Sequence, residues 1–508
     1  MLEILERISH HKKDILVIVV LSLTVLLAIL IINYKFTDYP FGPDEYAYQG
    51  ASRRMIEFGN KDLTIFYPNA ALILPYFVGV LSDIVNLDIM ILYRIIHIIV
   101  IIISIVSFYF LGNYISKKNG ILLAVLVSLF HTTTFWLGLG YMVPSTLIFV
   151  ILPFFLLSLL RSNIKLLILS ILFSGFIYWW SLFPLAIMTF IYFLLLKKRY
   201  FFLLLGIILS YILYKYILNF DIADLLGGSD LPDWYFLRLW KILAYYAPFV
   251  ILAFIFVKKM INEKIVKKYF LVSLALVGTN LLIFIFVSEH TQMRTVVFLF
   301  AGIFMLFSLL FESISFNKMA GKFLPLIFIL FFIPLASGVA LNYKNDVFSS
   351  TPLLAEELNF FEYHTKVSYP KDSSILSDSA TMLISTFNLN DSTYIFYEQI
   401  KNKEENGLGW AANFFAQEEF GENDFVYLDG IMAKLNVDSL YIIISPRTKY
   451  WINVWEDSGK KFTSRAVSFN IERIAQPFRG EAKFASSPLF KQYYVNQSVK
   501  VYQYFSSH

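Results

Sequence analysis

Long apolar runs are the feature that most limits what this 508-residue chain can fold into. Residues 95–111 and 323–341 are almost entirely apolar, and each approaches the ~20 consecutive residues that a helix needs to cross a bilayer. Charged residues make up only 16% of the chain, against about a quarter in an ordinary globular protein. The runs therefore have no soluble core to enter, and we predict a polytopic α-helical membrane protein.

Short basic clusters recur between the apolar runs and orient them. The clusters are Lys12 and Lys13; Lys117 and Lys118; Arg161 and Lys165; Lys197, Lys198 and Arg199; residues 258–268; and Lys318 and Lys322. Because basic residues in short loops stay in the cytoplasm, the chain must cross and return between consecutive clusters. This alternation predicts a plasma-membrane protein with about eleven transmembrane helices and a cytoplasmic amino terminus.

The predicted spans leave three outer loops, at residues 33–88, 219–240 and 288–294. The spans begin near Ile15, Ile89, Ile121, Pro144, Leu166, Leu182, Phe201, Ile242, Tyr269, Val296 and Phe323. Residues 166–196 then form a hairpin of two short spans. Residues 70–85 are short and contain Pro75, so we predict an interfacial or re-entrant helix there.

After residue 341 the apolar runs shorten to strand length. Predicted strands cover residues 374–376, 394–397, 425–428, 440–444 and 499–504, and predicted helices cover residues 353–361 and 430–435. Alternating strands and helices of this size are typical of an α/β domain. We therefore predict a transmembrane domain at residues 1–341 and an extracytoplasmic α/β domain at residues 342–508.

Charge and cysteine content exclude several functions. The net charge is +5, but the cations lie in the clusters between spans, so no nucleic-acid partner is implied. The chain contains no cysteine, which excludes disulfides, thiolate metal sites and a cysteine nucleophile.

The first outer loop contains a pair of carboxylates at a predicted helix start. Gly42 and Pro43 precede Asp44 and Glu45, and proline at the first helical position with acids in the first turn is typical of a helix amino terminus. Helical spacing puts Tyr48, Ala51 and Met55 on one face with Asp44, so we predict a short amphipathic helix. Arg53 and Arg54 flank that face. On spacing alone, the acids serve either the helix dipole, worth about 0.3–1 kcal/mol, or a reaction.

The order Asp44, Glu45, Tyr48 and Ala51 after an amino-terminal span resembles the first outer loop of GT-C glycosyltransferases. These include the protein O-mannosyltransferases and the lipid A aminoarabinose transferases, and residues 67–72 look like the Pro-rich segment that follows there. The resemblance implies inverting transfer of a sugar from a polyprenyl-phosphate carrier to a glycan, lipid or protein acceptor on the outer face. It implies Asp44 as the general base, with Glu45 as the alternate.

The densest ionisable cluster near the membrane is the predicted loop at residues 288–294. Its Val-Ser-Glu-His-Thr sequence is similar to a loop of oligosaccharyltransferase catalytic subunits, which share the GT-C fold. That resemblance implies a role for Glu289 in an acceptor or metal site, where a divalent cation, Mg or Mn, is left open, and no other cofactor is indicated. The Trp-Trp-Asp-Tyr-Gly motif of those enzymes is absent from this chain, so transfer of a lipid-linked glycan to protein is the alternative.

The donor phosphate needs a cation at the outer mouth of a span. Arg294, with His290, is the candidate, since arginine binds phosphate through two parallel hydrogen bonds. Arg53 and Arg54 are alternative phosphate-binding residues. In the interpretation without a function, residues 288–294 are an ordinary polar loop whose arginine reaches the lipid headgroups. A transporter or a non-catalytic scaffold of glycan export is the alternative from another class, although the sequence shows no inverted repeat of the kind transporters carry.

We expect a membrane-impermeant thiol reagent to label the Asp230→Cys variant, but not the Lys198→Cys variant, in intact cells. The reason is the basic-inside alternation of the loops. The parent chain provides a blank because it has no cysteine. The reverse labelling pattern would invert the predicted topology and remove the basis for an outer-face enzyme.

Overall fold

The computed structural model describes the chain in separate stretches. They are residues 48–52, 73–129, 131–132, 137–138, 144–177, 181–195, 233–257, 263–286, 289–315, 324–331, 373–377, 393–394, 413–421, 423–446, 479–496 and 499–505, with a few isolated positions.

These stretches contain helices in the first two thirds of the chain and a mixed sheet near its end. The helices are α1 Ile73–Val85, α2 Ile89–Asn113, α3 Lys117–Leu129, α4 Ile148–Arg161, α5 Ile164–Ile177, α6 Leu182–Leu195, α7 Asp233–Val257, α8 Lys264–Phe286, α9 Glu289–Ser315, α10 Asp424–Leu435 and α11 Glu481–Ser486. The strands are β1 His131–Thr132, β2 Leu137–Gly138, β3 Ser373–Leu376, β4 Thr393–Tyr394, β5 Ser439–Ile444, β6 Phe490–Val495 and β7 Lys500–Phe505.

The chain divides into two compact units. Unit 1 comprises residues 1–35, 69–74 and 91–342, and unit 2 comprises residues 36–68, 75–90 and 343–508. Unit 2 thus includes most of the first predicted outer loop together with the carboxyl-terminal part. The predicted domains at residues 1–341 and 342–508, and the extracytoplasmic position of the second, stay predictions.

Helices α2 to α9 overlap eight of the predicted spans, although α3 to α6 have only 13 or 14 residues each. Those spans were predicted to begin near Ile89, Ile121, Pro144, Leu166, Leu182, Ile242, Tyr269 and Val296. Among the described residues, three helices are long and apolar enough to cross a membrane, in α2, α8 and α9. Residues 324–331 are helical at the span predicted from Phe323, and the span predicted from Phe201 lies outside the described residues. The count of eleven stays a prediction.

Two segment predictions are tested by the helix bounds. The two segments of the predicted hairpin at residues 166–196 are helical, as α5 and α6, and their crossing of the membrane stays a prediction. Residues 70–85 contain α1, whose 13 residues extend only about 20 Å at 1.5 Å per residue. Pro75 lies in its first turn, where a missing backbone N–H costs little. Helix α1 is therefore too short to cross a bilayer by itself, and its interfacial position stays a prediction.

The carboxyl terminus of α4 joins the ends of several helices in unit 1. The Leu160 carbonyl accepts hydrogen bonds from Tyr114 Oη at 3.2 Å and from Lys268 Nζ at 3.2 Å. The neighbouring Leu159 carbonyl accepts one from Tyr192 Oη at 3.1 Å. These donors belong to the α2–α3 turn, the start of α8 and the end of α6. The described basic residues next to the α2–α3 turn, the α4–α5 turn and the start of α8 therefore lie at the same end of unit 1, here called the basic end.

A buried carboxylate extends this arrangement to α9. Ser116 Oγ donates to Glu312 Oε2 at 2.9 Å, and Ser116 Oγ also accepts a hydrogen bond from the Asn119 backbone N–H at 3.2 Å. Ser116 thus caps α3 while it binds the last turns of α9. Placement of the basic clusters at one end agrees with the predicted alternation, and the identity of that end as cytoplasmic stays a prediction.

Helices α2 and α3 approach each other through glycine. A Cβ atom built on Gly112 would lie 2.5 Å from the Asn119 carbonyl oxygen, and one on Gly120 would lie 2.8 Å from the Tyr109 carbonyl oxygen. Both contacts are with backbone, which cannot rotate away. The three residues between the two helices leave no room for a wider turn, so small residues are required at this crossing.

Unit 2 contains a five-stranded sheet in the order β4-β3-β5-β7-β6. Strand β3 is parallel to β4 and β5, whereas β7 is antiparallel to β5 and β6. On one face, Leu440, Ile442 and Ile444 of β5 are fully buried, and Leu428 and Met432 of α10 pack into the same core. Alternate residues of the strand therefore face the helix, as a period of two requires.

The predicted strands at residues 374–376, 440–444 and 499–504 are confirmed as β3, β5 and β7. The strand predicted at residues 425–428 is wrong, because these residues lie in α10. Residues Leu428 and Met432 are buried four positions apart, which is a helical period that a four-residue apolar run does not reveal. Strand β6 was not predicted, and the helix predicted at residues 353–361 lies outside the described residues.

A buried lysine completes the core of unit 2. Lys483 is 4% exposed, donates to the Phe414 carbonyl, and has its Nζ 4.7–5.3 Å from the ring centres of Phe414, Phe420 and Phe484. Burial lowers the pKa of Lys483 to about 8, against the opposing charge of Asp424. The aromatic rings and the carbonyl replace part of the lost hydration of the ammonium group.

A second polar group of unit 2 is paired at the surface. Glu481 lies 2.6 Å from Lys500 Nζ and 3.2 Å from Lys449 Nζ. Burial opposes ionisation, but the hydrogen bonds and charges of the two lysines outweigh it and lower the pKa of Glu481. The carboxylate ties the start of α11 to β7.

We expect Gly112→Ala to destabilise the protein by about 1–3 kcal/mol, the usual cost of overpacking, because its Cβ would strike backbone. Gly278→Ala is the matched control, since a Cβ there meets nothing within 4 Å and alanine favours a helix by about 1 kcal/mol. Melting temperatures of the two purified proteins in the same detergent measure the difference. Equal melting temperatures would mean that the α2–α3 crossing is wider than described.

Candidate functional site

The described part of the first outer loop is a buried helical turn. Residues 48–52 are helical, and Tyr48 and Ala51 are 8% and 2% exposed. Helical spacing puts these two positions on one side of the turn, and the predicted face shared with Asp44 and Met55 stays a prediction. Gln49 and Ser52 are also buried, at 3% and 0%, so the turn is enclosed on all sides and is not amphipathic over its described length. Ser52 Oγ donates to the Tyr48 carbonyl at 3.0 Å, within the same turn.

The residues predicted to do chemistry on this segment flank the described turn. Asp44 and Glu45 precede it, and Arg53 and Arg54 follow it. All four lie outside the described residues, so their roles stay predictions. The turn between them is held on every side, which suits a segment that has to fix a catalytic group.

Gln49 is a polar side chain that sequence reasoning missed. Its Oε1 is buried and accepts no hydrogen bond from any residue that the structure describes. A buried amide oxygen without a donor costs about 1–3 kcal/mol, and proteins tolerate such groups mainly where another molecule or water completes the bond.

The second predicted constellation is helical. Glu289, His290 and Arg294 were predicted in a loop, but all three lie in the first two turns of α9, which begins at Glu289. The loop prediction is wrong because the helix begins in polar residues, before its apolar run starts. The apolar run alone does not reveal this extension. The same happens at α7, which begins at Asp233, within the loop predicted at residues 219–240.

Helical geometry decides which of these positions lie together. Positions 290 and 294 are four residues apart and about 40° apart around the axis, whereas position 289 is about 140° from position 294. His290 and Arg294 therefore share a face of α9, and Glu289 lies away from it. Glu289 also occupies the amino terminus of the helix, where a negative charge is favourable.

Arg294 lies where α9 enters the interior of unit 1. The next residues, from Thr295 to Leu299, are all 0% exposed. Because α9 runs from this end to Glu312 at the basic end, positions 289–294 lie at the opposite end of unit 1.

A metal site is not formed by the described residues. In the stretches that the structure describes, no group of three or more His, Asp or Glu side chains comes close enough to hold a metal ion. The divalent cation considered for Glu289 therefore stays a prediction.

Comparison with known proteins identifies the fold. No family model and no curated protein matches the chain. Among solved structures, ArnT from Cupriavidus metallidurans bound to undecaprenyl phosphate matches with a TM-score of 0.54 and 9% identity, over 98% of this chain and 99% of ArnT. ArnT in the apo state matches with a TM-score of 0.53 and 10% identity over the same shares. The chain therefore has the fold of ArnT, the GT-C fold of a lipid A aminoarabinose transferase, over nearly its whole length.

Proposed function

We propose that this protein is a membrane glycosyltransferase that transfers a sugar from a polyprenyl-phosphate carrier to an acceptor on the outer face of the membrane. The observation that supports it most is the match to ArnT, whose structure contains undecaprenyl phosphate, over 98% of the chain. A match of that extent covers both compact units. The acceptor is a glycan, a lipid or a protein.

The proposed reaction is a single displacement with inversion. An acceptor hydroxyl oxygen forms a bond to the anomeric carbon of the sugar, while the bond from that carbon to the phosphate oxygen breaks. The electron pair of the broken bond leaves with the polyprenyl phosphate. The proton of the hydroxyl passes to Asp44, which is ionised at neutral pH and serves as general base, with Glu45 as the alternate.

The polyprenyl phosphate gains negative charge as the glycosidic bond breaks. A cation placed at that oxygen stabilises the transition state more than the ground state, which is the requirement for a gain in rate. Arg294 has this role, and His290 supports it from the same face of α9. Arg53 and Arg54 are the alternatives on the first outer loop.

Two other functions predict different outcomes. Transfer of a lipid-linked glycan to protein, as in oligosaccharyltransferases, would need Glu289 in an acceptor or metal site and would be lost in Glu289→Gln. A non-catalytic scaffold or a transporter in glycan export would keep working after replacement of both Asp44 and Glu45. The helical position of Glu289, away from the face of Arg294, favours neither a shared metal site nor a joint role with Arg294.

Asp44→Asn keeps the size of the side chain and removes the basic oxygen. We expect the purified variant to be folded and its rate of sugar transfer from the polyprenyl-phosphate donor to fall by about 10²–10⁴-fold, the usual contribution of general-base catalysis. Glu45→Gln should have the milder effect. The measurement is transfer of radiolabelled sugar under single-turnover conditions.

Asp83→Asn is the matched control for this experiment. Asp83 is an exposed carboxylate on α1, within the same predicted outer loop, and its replacement should leave the rate unchanged. A wild-type rate in folded Asp44→Asn would reduce Asp44 to a helix-start residue. Loss of transfer in Glu45→Gln alone would exchange the two roles.

Arg294→Ala should remove a charge-assisted hydrogen bond to the donor phosphate, worth about 1.5–3 kcal/mol. We expect Arg294→Lys to keep more activity than Arg294→Ala, because lysine keeps the charge but loses the two parallel hydrogen bonds of arginine. Donor binding and single-turnover rates measure both. Arg479→Ala is the control, because that exposed arginine lies in unit 2, 3.7 Å from Glu418. Unchanged donor binding in Arg294→Ala would assign the phosphate to Arg53 or Arg54.

A further inference from the structure

The turn between α4 and α5 has a fixed backbone. Ser162 has a φ of 54° in the left-handed region, and its N–H donates to the Leu159 carbonyl. The Asn163 N–H donates to the Ser158 carbonyl at 2.8 Å, and Asn163 Oδ1 accepts from the Leu166 N–H at 3.1 Å. The turn thus closes α4 and caps the start of α5 without a longer loop.

Lys268 holds α8 beside this turn. Its Nζ donates to the Leu160 carbonyl at 3.2 Å and lies 3.5 Å from Ser162 Oγ. A cation at the carboxyl end of a helix is favourable both for the free carbonyls and for the helix dipole. Lys268 is therefore occupied within the protein. Lys264, four residues earlier, lies on the same face of α8, at the start of that helix.

Two exposed cations flank the turn, and a third lies one helical turn from Lys268. Arg161 ends α4, Lys165 lies in the first turn of α5, and Lys264 begins α8; all three are exposed. Among the described residues, none of the three forms an ion pair with a carboxylate, although Glu263 directly precedes Lys264 in the sequence. Positive charge is therefore concentrated on a rigid turn.

An apolar stripe continues from these cations along α5. Ile164 and Ile168 are each 52% exposed and Leu172 is 37% exposed, and the spacing of four residues places them in one row along the helix. A small soluble anion would not contact these apolar side chains. A lipid has both parts: a charged headgroup and an acyl chain that runs parallel to a spanning helix.

We propose that the α4–α5 turn, with Arg161, Lys165 and Lys264, binds the headgroup phosphate of an anionic phospholipid whose acyl chain lies along Ile164, Ile168 and Leu172. The phosphate accepts hydrogen bonds from the arginine fork and from the two ammonium groups. The positive end of α5 adds to the attraction. This site is at the basic end of unit 1, away from positions 289–294, and it does not depend on sugar transfer.

The test compares lipids with the same chains and different headgroups. The purified full-length protein in detergent is titrated with dioleoyl-phosphatidylglycerol or dioleoyl-phosphatidylcholine, and bound lipid is counted by native mass spectrometry. We expect clear preference for phosphatidylglycerol in the wild type. Each basic residue near an anionic lipid contributes about fivefold in affinity, so Arg161→Gln with Lys165→Gln should weaken phosphatidylglycerol binding by roughly 25-fold and leave phosphatidylcholine binding unchanged.

A matched variant removes the same two charges elsewhere. Arg479 and Lys491 are exposed in unit 2, and Arg479→Gln with Lys491→Gln should bind phosphatidylglycerol as the wild type does. Ile168→Ser should weaken both lipids equally, because it alters only the row that contacts the chain. Melting temperatures confirm that the variants are folded.

Three results would overturn the proposal. One is equal binding of the two lipids by the wild type. Another is an equal loss in the unit 2 variant, which would mean that net charge alone attracts the lipid. The third is displacement of phosphatidylglycerol by inorganic phosphate at the same concentration, which would make the turn a simple anion site.

Discussion

The carbonyl groups at the end of α4 determine how unit 1 is assembled. The last carbonyls of a helix have no partner within it, and in an apolar medium each one left unpaired costs several kcal/mol. In this protein the Leu159 and Leu160 carbonyls together accept hydrogen bonds from Tyr192, Tyr114 and Lys268. Three other helical elements are thereby fixed at one level.

This arrangement gives a physical reason for the distribution of charge. Lys268 is a topological signal in the sequence and a helix cap in the structure, since its ammonium group binds the α4–α5 turn. Ser116 similarly connects the α2–α3 turn to the buried Glu312 of α9. Some polar residues at the basic end make hydrogen bonds with helix ends. The cations that stay exposed are those of the proposed lipid site.

Eight helices could be predicted because lipid imposes a single strong requirement, and they appear where apolar runs and basic clusters placed them. Among the described residues, three of them are long and apolar enough to cross a membrane. Prediction failed where that requirement ends. Polar residues at the starts of α7 and α9 continue the helix beyond the apolar run, so Arg294 was assigned to a loop. In unit 2, a four-residue apolar run is compatible with either a strand or a buried helical turn, and residues 425–428 proved helical. Strand β6 has exposed Lys491 and Gln492, so it lacks the apolar run that marked the others.

At the candidate site, the face containing Tyr48 and Ala51 followed from helical spacing, but the burial of Gln49 did not. Whether a polar residue is enclosed depends on segments distant in sequence, and no local pattern encodes it. Gln49 is therefore a residue for which only three-dimensional packing reveals an unmet hydrogen bond.

The low identity with ArnT follows from the same physics. A spanning helix accepts almost any apolar side chain on its lipid face, so the spans can diverge to 9–10% identity while the fold persists over nearly the whole chain. Specific residues are required only where backbone carbonyls, close helix crossings or chemistry demand them. Tyr114 and Lys268 are required by the Leu160 carbonyl, and Gly112 is required by a close helix crossing. Identity of function between two such chains therefore depends on a few polar positions, and the proposed reaction requires Arg294 and Asp44, with Glu45 as the alternate base.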